Sequence, residues 1–182
     1  MANLVKIIDF VGEINIVFNT PICGEAQKME SIISQHETDI IVSLLGGMTS
    51  DFFAGLTNNV TKYEELLNGK EYVLNGLTLK FIGLQKLVAY RIYEIYQQNH
   101  FSRTTNNGET KNSNVGMHAI SPNAKLANAN NRFVKLVGTE CNCNDQCSCE
   151  FANTLRNFLT VGDYDGWDIC YTKNQYKNRL GL

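Results

Sequence analysis

Little in this chain commits it to catalysis or to a charged partner. Its 182 residues include three histidines, two prolines and one tryptophan, and 16 Lys and Arg stand against 18 Asp and Glu. A net charge of -2 and a pI near 5.9 give no general pull toward nucleic acid, and no Lys/Arg-rich block occurs. Apolar runs such as "IIVSLLGG" at residues 40–47 fall short of the ~20 residues a membrane-crossing helix needs. A soluble protein without a membrane partner is expected. The opening "MANLVKIIDF" lacks a basic start, a long apolar block and a small-residue cleavage site. That speaks against a cleaved secretion signal and for synthesis in a reducing cytosol.

Catalytic signatures are missing too. No phosphate-cradling or dinucleotide-binding spacing can be drawn through the fourteen glycines. His36, His100 and His118 are far apart and in no zinc-protease or acid-base spacing, and His36 falls on an apolar helical stripe, where it reads as a packing residue. Glu64-Glu65 and the pair Asp163 and Asp165 read as a helix start and a loop. No residue stands out as a catalytic base, so enzyme activity is not expected.

What is present is a series of short, well-punctuated elements. Residues 4–18, within an N-terminal segment 1–23, are rich in β-branched groups without helical spacing and read as extended. From Glu25, Met29, Ile32, Ile33, His36, Ile40 and Leu44 follow helical steps up to Gly46-Gly47. "TSDFFAGL" predicts a second helix capped by Thr49 or Ser50, and Thr61 with Glu64 stands at capping-box spacing before a third that Gly69 closes. Residues 83–99 predict a central core helix with Leu84, Leu87, Val88, Ile92, Ile95 and Tyr96 on one face. Ser121-Pro122 opens another helix that ends at Gly138, and Phe151, Leu155, Phe158 and Leu159 mark a last one ended by Gly162.

The strongest local signal is "KEYVLNGLTLKF", a β-hairpin over 70–82. Asn75-Gly76 supplies a tight turn that pairs Leu74 with Leu77, Tyr72 with Leu79 and Glu71 with Lys80. A second Asn-Gly pair, at 107 and 108, lies in "RTTNNGETKNSNVG", whose poverty in apolar residues predicts an exposed arm over 103–116. Residues 161–182 form a tail bearing Trp167, Tyr171, Tyr176 and Leu180, which lies on its own body or waits for a neighbour. The fold class expected is mostly α, a single-domain helical bundle over 1–182 with an inserted β-hairpin, an extended arm and a C-terminal tail.

In a Cys-rich loop at 139–150, Cys141, Cys143, Cys147 and Cys149 hold four of the six cysteines. Thiolates suit a structural zinc, but single-residue gaps are tighter than structural zinc sites usually have. Metal ligands, free thiols and disulfides formed after release remain three open readings.

The order of elements resembles the head-to-tail connector, or neck ring, proteins of tailed bacteriophages, in the form found in phages of Bacteroides-type hosts and the crAss-like group. The likeness is carried by "ETDIIVSLLGGMTSDFFAGL", "KYEELLNGKEYVLNGLTLKFIGLQKLVAYRIYEIY", "SRTTNNGETK", "SPNAKLANANNRFVKLV", "TLRNFL" and the closing "KNRLGL", which together cover most of the chain. It implies a structural virion protein forming a ring with itself, a dodecamer, between the portal protein and adjacent neck or tail proteins. Genomic DNA would pass through the channel without specific binding, and no enzyme activity is implied. The cysteine cluster departs from the pattern and reads as an insertion. A tail-completion protein shares the same helical economy. A rival from another class is a small zinc-stabilised nucleic-acid-binding regulatory module, for which only Lys135 and Arg156 lie near the cluster.

Overall fold

Glycine and polar punctuation cut the chain into short elements packed around one long apolar helix. The computed structural model describes residues 3–16, 23–105, 108–111, 123–138 and 153–169. Helix α1 (Cys23–Leu45) ends in a 3-10 turn (Gly46–Met48) that leads into α2 (Thr49–Thr57) and then α3 (Thr61–Asn68). The hairpin β1 (Glu71–Leu74) and β2 (Leu77–Lys80) precedes α4 (Leu84–Phe101). Strands β3 (Ser102–Thr105) and β4 (Gly108–Lys111), α5 (Asn123–Val137) and α6 (Leu155–Val161) complete the order. The chain is thus mostly helical with an inserted antiparallel hairpin, as expected.

Helix α4 is the axis of the core. Leu84, Leu87, Val88, Ala89, Tyr90, Ile92, Tyr93, Glu94 and Tyr96 are all buried, a distribution too broad for one stripe and typical of a helix covered on several sides. The cover comes from α1 through Met29, Ile33, Ile41 and Leu44, and from α5 through Ala129, Phe133, Val134 and Val137, while α3 also meets α4. The stretch Ala26–Thr57 meets the length and apolarity of a membrane-crossing helix, more than its short apolar runs suggest. In the fold a 3-10 turn interrupts it, and Met29, Ile33, Ile40, Ile41, Leu44, Leu45, Met48 and Phe52 within it face the core.

Three local expectations give way to different physics. The N-terminal segment forms 3-10 turns at Ile7–Asp9 and Gly12–Ile14 where extended strands were expected, with Val5, Phe10 and Ile14 buried. Among the described residues this segment has no partner strand, and Val5, Phe10 and Ile14 bury themselves individually in the core. Thr49 lies inside α2 and donates its hydroxyl to the Gly46 carbonyl at 2.7 Å, so the 3-10 turn replaces a side-chain cap. Helix α3 starts from Val60, and the Thr61–Glu64 box does not form. Thr154, by contrast, caps α6 by accepting the Asn157 N–H at 3.2 Å.

The end of α3 and the start of α4 pass backbone against backbone. Gly69 has φ +88°, and a Cβ there would lie 2.4 Å from the Phe81 carbonyl oxygen. Gly83 has φ +93°, and its Cβ would lie 2.6 Å from the Leu67 oxygen. Each position requires the left-handed region and has no room for a side chain. Gly69→Ala should therefore lower unfolding stability by about 2–3 kcal/mol, measured by urea denaturation. Gly76→Ala, also at positive φ but in open space, should cost about 1 kcal/mol.

Candidate interaction surface

The first hairpin is fixed to the body by aromatic packing on one face. Tyr72 meets Phe158 of α6 edge-on at 5.4 Å, and Phe81 stacks on the same ring at 4.5 Å. Burial pushes the Tyr72 hydroxyl pKa up, and the nearby Thr154 backbone offsets part of the rise, although the buried hydroxyl makes no hydrogen bond among the described residues. Leu74 and Leu79 are half-buried beside it, whereas Val73 is 61% exposed and Leu77 48% exposed. The register is the expected one, Glu71 opposite Lys80, Tyr72 opposite Leu79 and Leu74 opposite Leu77. Asn75 (φ 50°) and Gly76 (φ 79°) supply the two positive-φ turn residues.

That register decides which backbone groups remain open. The Phe81 N–H reaches the Lys70 carbonyl at 2.9 Å, which continues the bonded pairs of Tyr72 with Leu79 and Leu74 with Leu77. The alternate residues Glu71, Val73, Thr78 and Lys80 then turn N–H and C=O outward. On the β2 side the Asn153 side-chain amide donates to the Lys80 carbonyl and closes the base of that edge. The β1 side has no strand beside it among the described residues.

A second antiparallel pair stands within the stretch expected to be an exposed arm or loop. Helix α4 runs straight into β3, which pairs with β4 through Arg103 opposite Thr110 and Thr104 opposite Glu109. Thr105 opposes Gly108, so two residues separate the strands and Gly108 begins β4. The strands of this pair carry no apolar alternation, the pattern by which a half-buried strand is recognised in sequence. The two hairpins form separate two-stranded sheets.

Elsewhere the body is held by polar clamps that sequence patterns did not reveal. Buried Glu37 of α1 accepts the Leu4 N–H at 3.1 Å and the Val5 N–H at 2.6 Å. Gln85 of α4 donates to the Leu4 carbonyl at 2.8 Å and to the Asp9 carboxylate at 2.9 Å. Glu37 sits among the apolar positions of α1, and a charged residue on such a stripe is the signal that could have found it. The tail is anchored likewise as far as Ile169. The Tyr164 hydroxyl donates to the Lys62 carbonyl at 2.7 Å, the Lys62 ammonium lies 4.3 Å from the Tyr164 ring centre, and Trp167 and Ile169 pack on the core. Of the two options for the tail, residues 163–169 take the first and lie on their own body.

Glu94 is the most deeply buried carboxylate described, 1% exposed, with one oxygen paired to Arg91 and Oε1 without a hydrogen-bond partner. Burial raises its pKa, and Arg91 offsets part of the rise. Tyr90 shares this flank, where burial and Glu13 raise its pKa and Arg132 lowers it.

Cys141, Cys143, Cys147 and Cys149 lie outside the described residues, as do His118, Phe151, Ser121-Pro122, residues 112–116 of the arm and the tail beyond Ile169. Among the described residues no group of three or more His, Cys, Asp or Glu is placed to hold a metal. His36 is half-buried on α1, in keeping with a packing role. The chain leaves α5 at Gly138 and returns at Thr154, so close that a Cβ on Gly138 would lie 2.9 Å from the Thr154 Cβ.

Glu37→Ala should cost about 2–3 kcal/mol in urea denaturation, because the buried Val5 N–H and the part-buried Leu4 N–H lose a carboxylate acceptor, and should speed proteolytic release of the N-terminal segment. Glu94 takes up a proton on folding, since its folded pKa exceeds its unfolded one. Its contribution to stability is complete below the unfolded carboxylate range and is lost as pH rises through the raised value. Thermal melts of Glu94→Gln against wild type, from about pH 4 to pH 7, should show the variant gaining relative Tm as pH rises. A constant difference would remove Glu94 from the pH dependence. No family model, no curated protein and no solved structure matches the chain, so its geometry carries the functional reading.

Proposed function

We propose that this protein is a structural component of a bacteriophage virion, a subunit of a closed ring in the neck between portal and tail and part of the conduit for DNA. The observation that supports this reading best is the pair of separate two-stranded hairpins on a helical body, each with backbone edges that the described chain leaves unpaired. Isolated two-stranded sheets are marginal in water, and open edges invite another strand. In a ring of identical subunits such an edge meets a different surface of the next copy, so a heterologous contact repeats until the ring closes. The aromatic platform under β1–β2 suits this role because it holds the projecting element at a fixed angle before assembly.

In this reading the partners are further copies of the chain, the portal protein and the adjacent neck or tail proteins, and the protein works without turnover. It is made in the host cytoplasm and resides in the virion. A net charge of -2 suits a channel wall along which DNA slides better than a surface that grips phosphates. Purified protein mixed with a portal protein and viewed by negative-stain microscopy should form rings seated on the portal. A chain that stays solitary with portal present, while binding an oligonucleotide saturably, would overturn the proposal.

A further inference from the structure

Assembly of this kind leaves open which surface meets which, and the two hairpin registers narrow the answer. In β1–β2 the outward backbone groups of β1 belong to Glu71 and Val73. The outward positions of β2 are Thr78 and Lys80, and the carbonyl of Lys80 is already taken by Asn153. Among the described residues the two edges of this hairpin are therefore unequal: β2 is closed at its base and β1 is open along its length. In β3–β4 the closing pair Thr105 and Gly108 is followed by Arg103 opposite Thr110. The same alternation makes Ser102 and Thr104 the outward positions of β3, and Glu109 and Lys111 those of β4.

Strand β1 and strand β4 each span four residues with two outward positions two apart, so an antiparallel pairing between copies can satisfy both sets at once. In that register Glu71 stands opposite Lys111 and Val73 opposite Glu109. Opposite charges meet at the base, and β1 brings no second acid to face Glu109. A shift of two residues would place Glu71 against Glu109, a like-charge pair that disfavours the slip. The strand β3 offers Ser102 and Thr104 at its outward positions, with no charge to choose a register.

We infer that β1 of one copy receives β4 of the next, forming a four-stranded sheet across each subunit junction in the order β2, β1, β4, β3. This rests on the ring reading above and assigns its contact. The partner is a second copy of this chain, recognised by backbone hydrogen bonding along β1 and by the pairing of Glu71 with Lys111. The open edge of β1 and the outward positions of β4 then serve one purpose.

The test uses the full-length chain and measures self-association, in the presence of portal, by sedimentation and microscopy. Val73→Pro removes an N–H that faces outward and leaves the bonds within β1–β2 in place, whereas Thr78→Pro does the same on β2. Circular dichroism and melting confirm that each variant is folded. Val73→Pro should weaken association by about tenfold or more while Thr78→Pro leaves it near wild type. Glu71→Lys and Lys111→Glu should each weaken it, and the double exchange should restore it. Association that withstands Val73→Pro, or charge reversals that the double exchange does not rescue, would overturn the β1–β4 junction and leave the ring reading standing. Absence of any association in the wild type would overturn both.

Discussion

An antiparallel pair of strands satisfies alternate backbone groups and turns the rest outward, and this geometric fact governs the surface of the molecule. A larger sheet would bury those groups against further strands. Here, among the described residues, each sheet stops at two strands, so Glu71 and Val73 keep backbone groups that no described residue pairs, on an element that the core holds in place. The described chain closes one edge at its base, through Asn153 and the Lys80 carbonyl, and leaves the other. An edge left open on a rigid support is an aggregation hazard unless something of fixed geometry covers it, and a neighbouring copy is such a cover.

The rigidity of the support has an identifiable origin. Phe158 gathers Tyr72, Phe81 and Tyr164 around one ring, joining the hairpin, the entry to α4 and the start of the tail at α6. Behind it α4 is covered by α1 and α5. The N-terminal turns are then clamped to this body by Glu37 and Gln85, which bond to backbone atoms. Apolar burial supplies the attraction, and the polar clamps select one placement for a segment with no sheet or helix ladder of its own.

Much of this was legible in the sequence because it depends on local rules. Asn75-Gly76 set the turn and thereby the register of β1 and β2, and the three- and four-residue apolar steps marked the stripes of α1, α4 and α5. What escaped was set by distance in the chain. Nothing near Glu37 announces that it receives Leu4 and Val5, more than thirty residues away. Nothing near Asn153 points to Lys80. The β-branched composition of the N-terminal segment describes a preference for a pleated surface; with no strand beside it among the described residues, it forms 3-10 turns. The second hairpin was hidden for the opposite reason, since its strands lack the apolar alternation by which strands are found. The cysteine cluster, the loudest feature of the sequence, falls outside the described residues, while the helices that flank it pack against each other.

The central claim is that backbone groups left open by the subunit are satisfied by its neighbours. Hydrogen exchange resolved to the amide of Val73, compared between free chain and portal-bound assembly, tests this most directly. The account predicts fast exchange in the free chain and strong protection in the assembly. Equal exchange in the two states, whether fast or slow, would contradict it.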